Sequence, residues 1–213
     1  MKVELLEVFG NDEMVANCAR VSYQKEATNY SDEQNEKLIN FLARENHWSP
    51  FSHPRLQFRL QIPIYIERQL VKTAAGVEYN SISGRYVDFS DTYYEIQQFR
   101  TQSKDSKQGS GEDLKKLVND ECLRVQQGVI NTCKEAYNRL IEYGVSKEQA
   151  RSVLPLSLET TMIWTGSLYS FIRLYKQRTK SDAQKEINMV VSIMMKELKK
   201  TDNFKYSLKA YGL

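Results

Sequence analysis

The run Asn80-Ser81-Ile82-Ser83-Gly84-Arg85-Tyr86 sets hydroxyls, a glycine backbone and a guanidinium side by side in a turn-like sequence. Arginine offers a planar fork of donors, serine a hydroxyl donor, and glycine a main chain that can come close to an anion. That is the equipment for gripping a phosphate. The same composition also makes an ordinary turn, so the neighbours matter. Arg68-Gln69 lies upstream near the end of an expected helix, and His47-Trp48-Ser49-Pro50-Phe51 comes earlier still. Arg151 and Arg178 sit in two later apolar segments.

These residues need elements to hold them. Val3 to Phe9 reads as a strand stopped by Gly10-Asn11-Asp12, with Asp12 as the cap of a helix running to about Ser22. Ser31 with Gln34 in the capping-box position opens a second helix that ends near Asn46. From Arg55 to Ile62 the pattern alternates strictly, with Leu56, Phe58, Leu60 and Ile62 on one face, as in a half-buried antiparallel strand. Pro63 fits the first turn of the helix that carries Arg68 and Gln69.

Thr92 to Ile96 is a candidate short strand, and Gln102 to Gly111, rich in Ser, Gly, Lys and Gln, reads as a mobile loop spanning about 100–112. Leu114 to Ile141 shows apolar residues at three- and four-residue spacing, a long helix that Gly144 ends and whose stripe is core or subunit contact. A short helix through Gln149 to Val153 stops at Pro155, and Thr160 to Trp164 is β-prone. Ser167 to Arg178 and Asp182 to Lys199 close the pattern as helices. Segregated helices with a few antiparallel strands predict an α+β fold.

At 213 residues, 41% apolar and 27% charged, the chain has the composition of an ordinary globular domain. A net charge of +3 from 30 basic and 27 acidic residues argues against a nucleic-acid coat or a polybasic membrane anchor. Cys18, Cys122 and Cys133 form no CxxC pair, which suggests reduced thiols acting as small apolar side chains. The two histidines, His47 and His53, have no zinc-ligand spacing around them, so no metal is expected. No stretch approaches a membrane span and Met1-Lys2-Val3-Glu4 opens no signal peptide, so the expected setting is cytoplasmic, or the host cytoplasm for a viral chain.

Five separated motifs stand in order along most of the chain. They are Ala19-Arg20-Val21-Ser22, an H-x-[ST]-P-F-x-H segment from His47 to His53, the region Arg68 to Tyr86, Ala150-Arg151-Ser152-Val153-Leu154-Pro155, and Trp164-Thr165-Gly166-Ser167 followed by Arg178 and Ala183-Gln184-x-Glu186-Ile187. In these the chain resembles the flavin-dependent thymidylate synthases, in a phage-like form. It departs from their signature, Arg-His-Arg followed by seven residues and Ser. Lys72-Thr73-Ala74 stands in that place, eight residues separate Ala74 from Ser83, and Ser81 replaces the usual Glu.

The resemblance implies one α+β domain over residues 1–213, assembled as a homotetramer with sites where subunits meet. It implies conversion of dUMP to dTMP, with methylenetetrahydrofolate as one-carbon donor, NADPH as reductant, FAD as cofactor and no protein nucleophile. By residue, it assigns dUMP binding to Gln69, Ser81, Ser83, Gly84, Arg85, Arg151 and Arg178, with Arg178 catalytic at the pyrimidine. It assigns FAD binding to His53, Lys72, Thr73, Asn80, Ser167 and Arg173. The altered signature leaves two alternatives open, a related pyrimidine nucleotide hydroxymethylase and a non-catalytic homologue that binds dUMP and FAD.

Overall fold

A computed structural model describes residues 1–88, 92–104 and 109–213. The strands are β1 (Lys2–Phe9), β2 (Arg55–Pro63), β3 (Val77–Ser81), β4 (Arg100–Gln102), β5 (Ser110–Asp113) and β6 (Glu159–Ser167). The helices are α1 (Asp12–Arg20), α2 (Asp32–Arg44), α3 (Ile64–Val71), α4 (Lys116–Glu142), α5 (Lys147–Ala150), α6 (Leu168–Arg178), α7 (Lys185–Lys199) and α8 (Lys205–Ala210). Four strands make one antiparallel sheet in the order β1-β2-β6-β3, and β4 pairs with β5 as a separate hairpin.

The alternating strand lies in the sheet's interior. Its register sets Leu60 opposite Val3 on one side and Met162 on the other, and Phe58 opposite Trp164. Leu56, Phe58, Leu60 and Ile62 are buried beneath α3, α6 and α7, with Ile187, Val190, Met194 and Leu198 of α7 in the same core. Burial of each such side chain contributes about 1.5–3 kcal/mol. The outward residues are tied across the sheet: Gln57 donates to Thr165 at 3.0 Å, Gln61 to Glu159 at 2.8 Å and Arg59 to Glu4 at 3.0 Å.

Ser31 and Gln34 form the expected reciprocal capping box. The cap of α1 differs from expectation. Asn11 accepts from the Met14 amide at 2.9 Å, and α1 stops at Arg20 before a 3₁₀ turn over Val21–Tyr23. Asp12 is thereby free to reach across the chain. It accepts from the amides of Tyr206 and Ser207 at 2.6 and 2.9 Å and so caps α8, a helix the sequence pattern did not announce.

β3 was also unforeseen, because an edge strand paired on one side can be polar, and Glu78, Tyr79, Asn80 and Ser81 are all exposed. The strand expected at Thr92 to Ile96 is absent among the described residues. Tyr93 makes a single bridge to Leu158, and Tyr94 donates its amide to the Ser157 carbonyl at 2.8 Å. The loop expected over about 100–112 has paired flanks, since Arg100 faces Asp113 and Gln102 faces Ser110. Its residues 105–108 lie outside the described residues. No helix among the described residues is long and apolar enough to cross a membrane.

Candidate functional site

Two clefts border the outer strands and the helix ends. The first forms where α3 and α6 finish and the chain turns into α7, with a volume near 460 Å³ lined by Gln69, Gln177, Arg178, Lys180, Asp182 and Gln184. Arg178 donates from Nη2 to the Gln69 main-chain carbonyl at 2.8 Å, supplying one of the carbonyl partners that a helix C-terminus lacks. Its Nε is buried with no partner. Burial lowers the pKa of Arg178 from its ordinary value, though an arginine stays protonated at neutral pH.

Behind Arg178 runs a polar relay. The Gln69 side-chain amide donates to Gln184 Oε1, and Gln184 Nε2 donates to Glu186 Oε2 at 2.9 Å. Arg100 Nη2 then donates to both oxygens of Glu186, at 2.8 and 3.0 Å. Burial pushes the Glu186 carboxyl up, but the bonds from Arg100 and Gln184 outweigh it and hold the group below the usual carboxylate range. The fixed donors and acceptors therefore present Gln69 and Arg178 to the cleft in one arrangement.

The second cleft, near 530 Å³, lies where the 75–76 turn meets the start of α6, lined by Trp48, Arg55, Gly76, Ser167, Tyr169 and Arg173 among others. Ser167 caps α6 by accepting from the Ser170 amide at 3.2 Å, and Ser170 Oγ lies 3.1 Å from the carbonyls of Ala75 and Gly76. Gly76 has φ +76°, and a Cβ there would sit 2.5 Å from Ser170 Oγ, so only glycine allows this approach. Two guanidiniums and two aromatic rings in one cleft suit a ligand that carries a flat ring and phosphate. The residues present thus fit a flavin dinucleotide.

The structure brings Gln69 together with Arg178, and Ser167 with Arg173. The other expected residues line neither cleft. Ser83, Gly84 and Arg85 occupy a tight turn in which Tyr86 and Val87 both donate their amides to the Ser83 carbonyl at 3.1 Å. Arg85 is exposed and meets the Tyr86 hydroxyl at 2.8 Å. Ser81 donates to Glu67 Oε1 at 2.6 Å, so α3 supplies a carboxylate at this position. Asn80 is an exposed residue of β3, and Arg151 is exposed after α5, donating to the Glu148 carbonyl at 3.3 Å. His53 is exposed just before β2, Lys72 is exposed after α3, and Thr73 bonds the Leu70 carbonyl through both its amide and its hydroxyl, each at 2.8 Å. Glu67 and Gln69 are two positions apart on α3, about 200° around the helix axis. The 81–86 turn and the Arg178 cleft therefore flank different sides of α3.

Sequence reasoning assigned no site role to Glu67, Arg100, Gln184, Glu186, Trp48, Arg55 or Tyr169. Gln184, Glu186 and Trp48 stood within quoted motifs, whereas nothing local links Arg100 to Glu186, 86 positions away.

Residues 4–202 match the model of the family described as Thymidylate synthase complementing protein. The flavin-dependent thymidylate synthase of Kosmotoga olearia is 37% identical over 197 residues, covering 92% of this chain and 84% of that protein. Its counterpart in Thermus thermophilus is 35% identical over 185 residues, covering 87% of this chain and 66% of that protein. Among solved structures, the UMP/dUMP methylase PolB of Streptomyces cacaoi bound with 5-Br dUMP superposes with a TM-score of 0.88 at 26% identity, covering 99% of this chain and 94% of PolB. The same methylase bound with 5-Br UMP gives 0.87 at 25% identity, covering 99% and 93%. With the α+β fold, the Arg178 cleft and a family match across most of its length, the chain belongs to the thymidylate synthase complementing protein family, that of the flavin-dependent thymidylate synthases.

Proposed function

We propose that this enzyme converts dUMP to dTMP, with methylenetetrahydrofolate as one-carbon donor and NADPH as reductant of a bound FAD. The observation that carries the reading is the cleft in which Gln69, Gln184 and a partly desolvated Arg178 converge, within a chain that matches the family over residues 4–202.

A dUMP ligand brings a dianionic phosphate and a uracil ring. Arg85, Ser83 and the Gly84 amide take the phosphate, with Arg151 and Gln69 completing the grip. Arg178 faces the pyrimidine, where a fixed positive charge favours electron density growing on the ring oxygens in the transition state. Partial burial strengthens that effect by excluding water. Ser81, held by Glu67, borders the base.

In the second cleft Ser167 and Arg173 hold the flavin, with His53, Lys72, Thr73 and Asn80, which line neither cleft, assigned to it by the family pattern, and the flavin when bound supplies the two-electron reduction that completes the methyl group. The cysteines form no disulfide and none lines either cleft, and burial raises the Cys18 thiol, which supports a scheme without a cysteine nucleophile. Free thiols also suit the cytoplasm.

The turn carrying Arg85 and the cleft carrying Arg178 flank different sides of α3, which supports a site completed between chains of a homotetramer. The test is the visible spectrum of the purified protein during titration with FAD and then dUMP, followed by addition of methylenetetrahydrofolate and NADPH and mass analysis of the product. Flavin bands that shift on addition of dUMP, with dTMP formed, support the reading. A hydroxymethylated product would move the assignment to that chemistry. The Lys72-Thr73-Ala74 segment favours one other reading, a chain that binds dUMP without retaining flavin, and a colourless protein that takes up dUMP alone would establish it.

A further inference from the structure

Trp48 occupies an unusual position for a large apolar side chain. It is 51% exposed yet held in place, because the Phe51 amide donates to its carbonyl at 3.1 Å and Pro50 and Phe51 beside it are buried. Its ring stacks on Tyr169 at 5.8 Å between centroids and 26° between planes. Tyr169 contacts Tyr211 at 6.2 Å, and Tyr211 meets the fully buried Phe51 edge-on at 5.0 Å. The aromatic column thus starts in the core and ends at Trp48 in the second cleft. A ring already ordered by its neighbours loses little entropy when a ligand stacks on it.

The cations beside it are not equivalent. Arg55 is paired with Glu78, whereas Arg173 lies 5.9 Å from the Tyr169 ring centroid and has no carboxylate partner among the described residues. Arg173 is therefore the unpaired guanidinium that lines this cleft, and guanidinium suits phosphate oxygens.

We infer that Trp48 is the stacking platform of this cleft, receiving a planar heteroaromatic ring whose phosphate tail reaches Arg173. The inference rests on the flavin reading above and names the ring contact within it. A flavin dinucleotide offers two such rings, isoalloxazine and adenine, and the probes below distinguish them.

Two tryptophans make the test direct, since Trp164 is fully buried and Trp48 is half exposed. FAD, FMN and ADP are titrated separately into wild-type protein and into Trp48→Phe, Trp48→Leu and Trp48→Ala, following tryptophan emission and bound ligand by equilibrium dialysis. The expected result is a FAD Kd raised about tenfold or more in Trp48→Ala and Trp48→Leu relative to wild type. Trp48→Phe retains a ring and weakens binding less. Loss of FMN affinity on removal of the Trp48 ring assigns the isoalloxazine half, and loss of ADP affinity the adenine half. Unaltered Trp164 emission in the variants reports an intact fold. Should FAD bind wild type, Trp48→Leu and Trp48→Ala with equal affinity, the inference is overturned while the flavin reading stands; no FAD uptake by wild type overturns both.

Discussion

Glu186 receives both of its Arg100 hydrogen bonds while it is nearly buried, so the first residues of α7 and the base of the β4–β5 hairpin are locked together behind the Arg178 cleft. Removing one member of such a pair strands the other charge, a cost of about 3–5 kcal/mol. Glu186→Gln is therefore expected to lower the melting temperature markedly. The folded-state pKa of Glu186 lies below its ordinary value, so the group contributes stability at neutral pH. That contribution is lost as pH falls from the ordinary glutamate range, about 4.3, through the lower folded value. Melts across acidic pH should show a shallower loss for Glu186→Gln than for wild type, and parallel curves would remove Glu186 from the acid response.

Arg178→Ala should reduce turnover about 10²–10³-fold, the effect of deleting one charge-stabilising donor from a transition state. Substrate binding is expected to weaken less than kcat falls, because most of the proposed phosphate grip comes from Arg85, Ser83 and Gly84. Near-normal kcat in this variant would place the pyrimidine contact on another residue.

Arg85→Ala should abolish measurable dUMP binding by calorimetry. Its guanidinium is exposed and touches only the Tyr86 hydroxyl and ring among the described residues, so stability should stay within about 0.5 kcal/mol. Unchanged dUMP affinity would overturn the phosphate assignment.

Much of the frame could be read from local pattern. The alternation from Arg55 to Ile62, the Ser31 capping box and the stripe ended by Gly144, where φ is +82°, each follow from neighbouring residues. What escaped was set by distance or by context. β3 is polar because its edge position asks for no second buried face, and α8 is six residues long, with its amides satisfied by a residue nearly two hundred positions earlier. The site divides in the same way. Motifs singled out Gln69 and Arg178, which the fold sets in one cleft, but the relay through Gln184, Glu186 and Arg100 and the carboxylate that Glu67 sets against Ser81 exist only after folding.

Asp12 tests that long-range cap. Burial raises its carboxyl above the ordinary value although the Ser207 and Tyr206 donors pull it down. Asp12→Ala leaves the first amides of α8 without their acceptor and should cost about 2 kcal/mol. Because Asn11 caps α1, Asn11→Ala should cost α1 a similar cap while leaving α8 in place. Protease nicking confined to residues 200–213 in Asp12→Ala but absent in Asn11→Ala would separate the two roles, and identical cleavage in both would merge them.

The last prediction concerns how Arg85 and Arg178 come to act on one ligand. Val118, Val125 and Val129 stand on one side of α4 at 52, 59 and 52% exposure, with Leu117 beside them at 85%. An apolar face of this kind suits burial by a second copy. Val125→Lys should leave the thermal stability of the chain within about 0.5 kcal/mol in its monomeric form, yet lower the assembled mass seen by light scattering below that of the proposed tetramer. Turnover should fall with it if the site is completed between chains, as proposed. The decisive experiment mixes Arg85→Ala with Arg178→Ala, two inactive variants, after gentle dissociation and reassociation. If one chain supplies Arg85 and another Arg178, random mixing restores about a quarter of the sites. Activity that stays absent after confirmed exchange would mean that both arginines serve the ligand from the same chain, and α3 would have to move to bring them together.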